Sequence, residues 1–170
     1  MNKTIATIKY GVITLVIGLA FFQTIATAQD GDAPARSLDG VWEVTIIPRS
    51  CVTGLPIPNA SGQALYAFHN DGTMSVWAQN ATITTTRSPS FGLWQNTHGW
   101  SNYSFKFVHL RYNLTTGIFI GKQEGRGTLV LDESGDQFTT DGASTLFDVN
   151  GNPGTPGCSN SIGTRFMLEP

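Results

Sequence analysis

Charge is what this chain has least of: only 13% of its 170 residues are Asp, Glu, Lys or Arg. No basic cluster interrupts the polar stretches. Nothing is therefore in place to release counterions from a nucleic-acid backbone, and nucleic acid is not an expected partner. Histidines are three, His69, His98 and His109, and none has a second histidine two or four residues away. The two cysteines, Cys51 and Cys158, have no neighbouring Cys or His at ligand spacing, so no metal site and no cofactor is expected. A Gly-x-Ser-x-Gly elbow is missing, which removes the usual hydrolase nucleophile. Asp71, Asp132, Asp136 and Asp148 lie in turn-like stretches where Asp caps its own backbone, so paired catalytic carboxylates are not indicated. Helical periodicity is lacking too: no window carries apolar residues at i, i+3, i+4 and i+7 without Gly or several β-branched residues intervening.

What is present begins with an address. Lys3 and Lys9 precede the 12-residue apolar run GVITLVIGLAFF, and Ala26-Thr27-Ala28 supplies small residues at a cleavage position. Residues 1–28 therefore read as a secretory signal peptide, with an apolar run too short to span a bilayer comfortably. Export to the periplasm or medium, with no membrane attachment after cleavage, is the expectation. Removing the 28 residues leaves 142 of the 170. Without Lys3 and Lys9 the 10 basic residues become 8 against 12 acidic ones, a formal charge of −4. In an oxidising compartment an even cysteine count favours one disulfide between Cys51 and Cys158. Residues 29–37, QDGDAPARS, read as a flexible leader, and 38–170 as one domain without repeats or linker. Sequons stand at Asn59, Asn80, Asn102 and Asn113 and matter only if the host glycosylates.

Strand signals fill the domain. Val41–Pro48 alternates, with Trp42, Val44 and Ile46 on one face. Gln63–His69 and Thr73–Gln79 flank the hairpin turn Asn70-Asp71-Gly72. A short strand is expected at Leu93–Thr97, then longer ones at Ser101–Tyr112, Ile118–Leu131 and Gln137–Val149, the last interrupted by Gly142. A final strand is expected around Ile162–Leu168, after the proline-bearing loop NGNPGTPG. About eight strands joined by hairpins predict an all-β antiparallel meander barrel able to hold one small ligand, with a β-sandwich as the alternative.

Gly40-Val41-Trp42 on the first strand resembles the Gly-x-Trp signature of lipocalins and related calycin barrels, and Arg165 stands on the expected last strand. The resemblance implies that Trp42 plugs the closed end of a barrel and that Arg165 lies across its ring. A guanidinium stacked on indole would contribute about 1–2 kcal/mol. Both residues are therefore expected to be structural. A Thr-Asp-Tyr second motif and a C-terminal helix are missing from this chain. The late turn Asp148-Val149-Asn150-Gly151 is also similar to one in exported bacterial β-proteins with such a first strand.

The candidate binding residues come from three stretches. In IFIGKQEGRGTLVL, Lys122, Glu124 and Arg126 share one face, which leaves Gly121, Gln123, Gly125 and Gly127 facing inward. Those glycines would either leave a cavity with Gln123 as its polar contact, or serve bends and admit a bulky ring from a neighbour. Tyr103, Phe105, Phe107, His109 and Arg111 share a face of the preceding strand. They form either a cavity wall with a polar mouth or a core whose last two members emerge into solvent. Trp94 and Trp100, near His98, would stack on a ligand at the mouth or cover a barrel end.

The leading expectation is an exported barrel that binds a small, partly apolar molecule. An isomerase- or cyclase-like enzyme using His109 as acid–base and Arg111 as anion stabiliser is the first alternative, and it requires His109 buried, with a displaced pKa and open space beside it. A filled interaction module is the second. The oligomeric state is left open by the sequence.

Overall fold

The computed structural model describes residues 37–79 and 85–168. The expected signal peptide, the leader up to residue 36 and the Asn80 sequon lie outside the described residues. Every regular element among the described residues is a strand: β1 Gly40–Arg49, β2 Gly62–Phe68, β3 Thr73–Gln79, β4 Thr85–Arg87, β5 Ser90–His98, β6 Asn102–Asn113, β7 Phe119–Leu131, β8 Gln137–Phe147 and β9 Gly157–Arg165.

The strands hydrogen-bond in the order β6-β5-β3-β2-β1-β9-β8-β7, and β6 pairs with β7 to close the ring. All of these pairings are antiparallel. The result is a closed eight-strand meander barrel, and the alternative of a two-sheet sandwich is overturned by the β6–β7 pairing. The three-residue β4 was not expected. It pairs with β6 at Arg111–Asn113, beyond the part of β6 that β5 covers. Three further boundaries differ from expectation: β5 begins at Ser90, three residues before the expected Leu93. β8 runs straight through Gly142, paired on both sides, and β9 begins at Gly157 and ends at Arg165. The residues Gly157-Cys158-Ser159-Asn160-Ser161 lack β-forming side chains, but β1 and β8 flank them and supply both ladders.

The interior has two unlike halves. One end is filled: Leu38, Trp42, Val44, Phe68, Met74, Leu129, Leu131 and Phe138 are all buried. Each such side chain contributes about 1.5–3 kcal/mol on removal from water. The Trp42 and Phe138 ring centroids are 4.9 Å apart. Trp42 Nε1 donates to the Leu38 carbonyl at 3.0 Å, so its one polar atom is satisfied. The Arg165 guanidinium carbon lies 4.3 Å from the Trp42 ring centroid. Gly40 adopts φ +125°, where a side chain would be strained, and a Cβ there would meet Arg165 Nη1 at 3.1 Å. Towards the other end polar residues join the buried set: Ser90, His109, Thr140 and Ser161 lie there beside Ala78, Tyr66 and Phe105.

The seam between β1 and β9 is fastened at both ends. Arg165 stacks on Trp42 at the filled end, and the Cys51–Cys158 disulfide, with Cα atoms 5.2 Å apart, ties the same two strands at the polar end.

Candidate binding cavity

The glycines of β7 owe their place to the rings of β6. Register sets Phe105 opposite Gly127, Phe107 opposite Gly125 and His109 opposite Gln123. A Cβ added at Gly125 would fall 2.4 Å from Phe107 Cζ, and one at Gly127 would fall 2.8 Å from Phe105 Cζ. Each phenylalanine thus reaches sideways over the adjacent strand and lies along the barrel wall. The three rings are nearly parallel: 5° separates the planes of Phe105 and Phe107, and 14° those of Phe107 and His109. Of the two readings of the glycine series, admission of a bulky ring is the one observed. Space nevertheless remains in front of those rings.

That space is a cavity of about 230 Å³ lined by Ile46, Phe105 and Phe107, with Tyr66, His109, Gln123 and Ser144 among its polar walls. A wider cleft of about 530 Å³, bordered by Trp77, Thr85 and Arg111, lies at the mouth. Arg87, His109, Gln123, Ser144 and Gly157 border both, so one leads into the other. The linings are about evenly polar and apolar, and the two spaces together fall in the size range of small-molecule sites.

The polar groups are held in place by their neighbours. His109 is buried, with Nδ1 3.3 Å from Ser90 Oγ, and Gln123 also hydrogen-bonds the ring. Burial, followed by the nearby Arg87 and Arg111 charges, pushes the His109 pKa down to about 4, so the imidazole is neutral at pH 7. Burial pushes the Tyr66 phenol up to about 12, and Ser161 hydrogen-bonds it. The Arg87 guanidinium grips the Ala78 carbonyl through both Nε, at 2.7 Å, and Nη2. Burial lowers its pKa as well.

The expected site residues divide. Phe105, Phe107, His109 and Gln123 line the cavity, and Arg111 borders the mouth. Trp94 and Trp100, expected at the mouth, and Tyr103, expected on the cavity wall, border neither space, and both expectations are corrected. Trp94 Nε1 donates to the His69 carbonyl and its ring packs on Phe68 and Tyr103, at the filled end. Tyr103 Oη donates to the Trp100 carbonyl in the turn there. Alternation assigns a face, while the end of the barrel depends on register with β2 and β6. Arg87, Tyr66, Ser90 and Ser144 were not anticipated. For Arg87 a signal existed: it is the only Asp, Glu, Lys or Arg between Asp71 and Lys106.

The four acids expected in turns are found there. Asp132 accepts from the Gly135, Asp136 and Gln137 amides, Asp148 from Asn150 and Asn152, and Asp71 from Thr73, while Asp136 sits 3.4 Å from Arg165. No protein-family model and no curated protein matches this chain.

Proposed function

We propose that this protein is an exported carrier or sensor that holds one small, partly apolar molecule in the polar half of a calycin-like barrel. The observation that carries this reading is the two-halved interior. Beyond the Trp42 plug, a cavity of about 230 Å³ persists because Phe105 and Phe107 lie along the wall. The disulfide between first and last strands supports an oxidising destination. The Arg165 stack on Trp42 supports the likeness to calycin barrels.

The enzyme alternative has one observation in its favour: His109 is buried, displaced in pKa and beside open space. Two features weigh against it. A histidine titrating near 4 is a weak base at neutral pH, and Ser90 and Gln123 already hydrogen-bond the ring. Such a group is better suited to orient a ligand than to move a proton.

The test is fluorescence titration of the mature protein with N-phenyl-1-naphthylamine, a neutral aromatic probe, alongside native mass spectrometry of freshly purified material. Saturable one-to-one binding, lost in Ser144→Phe with the barrel intact by circular dichroism, is expected. An absence of saturable binding to the wild type by this probe and by its sulfonated counterpart, 1-anilinonaphthalene-8-sulfonate, overturns the reading.

A further inference from the structure

Arg87 and Arg111 are directly opposite one another in the β4–β6 ladder, and both border the mouth. Directly opposed residues share a face with their Cβ atoms about 5 Å apart, and like charges so placed repel. Folded proteins commonly relieve such a pair with a carboxylate. None does so here. No ion pair involves either guanidinium among the described residues, and no Asp or Glu borders the mouth cleft or the cavity. The segment 80–84, Asn-Ala-Thr-Ile-Thr, carries no acid in its sequence either.

Asp148 lines a neighbouring pocket with Arg111 but forms no ion pair with it, and among the described residues no other carboxylate borders the pair. His109, two residues from Arg111 on the same strand, is uncharged at pH 7, and Gln123 opposite it is an amide. Arg87 is also fixed in direction, because its Nε and Nη2 are committed to the Ala78 carbonyl. An arginine held by one edge presents the remainder of its planar fork with little entropy left to lose on binding. Further inward Ile46, Phe105 and Phe107 join the lining, among polar residues that include Tyr66, Thr140 and Ser161.

We infer that the molecule taken up by this barrel is an organic anion, an apolar body carrying one oxyanion head. The head group lies between Arg87 and Arg111 at the mouth, and the body runs inward along Phe105 and Phe107. This inference rests on the binding function proposed above and adds the charge of the ligand. The absent carboxylate belongs to the ligand, whose arrival removes the repulsion between the two arginines. Neutral His109 and Gln123 then supply hydrogen bonds just below the head group.

A matched pair of probes separates the two ideas: 1-anilinonaphthalene-8-sulfonate, and N-phenyl-1-naphthylamine, which has the same rings without the sulfonate. The sulfonate is expected to bind the wild type about 10- to 100-fold tighter, the range of one charge-assisted contact. Arg111→Gln, which removes a side chain with no intramolecular ion pair among the described residues, is expected to collapse that ratio by weakening the sulfonate more than the neutral probe. Arg87→Gln should do the same. If it also loses the neutral probe, the freed Ala78 carbonyl has damaged the barrel, and Arg111→Gln decides. Equal affinities of the two probes for the wild type overturn the anion proposal and leave the cavity standing. Failure of both probes to bind overturns the cavity reading itself, and the anion proposal with it.

Discussion

Arg165 covers Trp42 at 4.3 Å and, in the same position, donates to three carbonyls on two other segments: Ser37 at 2.6 Å, Asp39 at 2.7 Å and Gly135 at 2.7 Å. One side chain on the last strand thus fixes the entry to the first strand and the β7–β8 turn. Its stabilising role lies in those carbonyls at least as much as in the ring, since each loses its partner when the guanidinium is removed.

Arg165→Met keeps the apolar stem over Trp42 and removes every donor. With three partly buried carbonyls left unpaired, the expected loss is about 3 kcal/mol or more. Arg165→Lys retains a cation but not the fork, and should recover only a minority of that loss. Urea unfolding followed by tryptophan fluorescence measures both. A change below about 1 kcal/mol for the methionine variant would show that the clamp is dispensable.

Gly125 and Phe107 are expected to behave as one unit. The methyl group of Gly125→Ala would meet the ring at 2.4 Å, and the open direction for that ring is the cavity. The substitution should cost about 1–3 kcal/mol and weaken probe binding, because the displaced ring occupies ligand space. In a Phe107→Leu background the same change should cost less, with a coupling of about 0.5 kcal/mol or more in the double-mutant cycle. Additive losses would separate the two residues.

Much of the fold could be read from alternation alone. Trp42 and Val44 point inward as their spacing requires, as do Tyr103 and Phe105, and Lys122 and Glu124 pair on the outside at 2.7 Å. The turn at Asp71 and the link between Cys51 and Cys158 were likewise accessible from residue types. What escaped depends on register between strands distant in sequence. β4 is three residues long and exists because β6 outruns β5. The opposition of Arg87 and Arg111 follows from that pairing, and no local pattern contains it. Trp94 was assigned to the mouth for the same reason: its strand was recognised, but the end at which its ring packs is set by Phe68 and Tyr103.

The disulfide closes a separation of 107 residues, so in the chain-entropy model its removal should lower stability by about 4–5 kcal/mol. The paired substitution Cys51→Ser with Cys158→Ser is expected to lower the urea midpoint strongly. The slope should rise, because the unfolded chain without the 107-residue bridge is less compact and exposes more surface. Trp42 and Arg165 fasten the far end of the same seam, so the barrel should still fold and bind its probe at low temperature. Complete unfolding of the reduced form in water would mean that the Arg165 clamp cannot hold the seam alone.

His109 makes stability depend on pH in a defined window. Its pKa in the folded protein is about 4, below the ordinary 6.5, because burial and the two arginines oppose its protonation. The unfolded chain therefore binds the proton more readily, and stability falls as pH falls. The contribution is complete above about 6.5, is lost progressively down to about 4 and is flat below that, with a total of about 3 kcal/mol. Asp71, Glu124, Asp132 and Asp148, whose pKa values are lowered by hydrogen bonds, add to the fall below about pH 5, so His109 is read most cleanly in the upper part of the window. His109→Gln, which can still hydrogen-bond Ser90, should flatten the stability profile between pH 6.5 and 4 relative to wild type. A bound organic anion should also flatten it, because its charge opposes those of Arg87 and Arg111 and raises the His109 pKa. A profile with the same slope in wild type and variant would place the titrating group elsewhere in the protein.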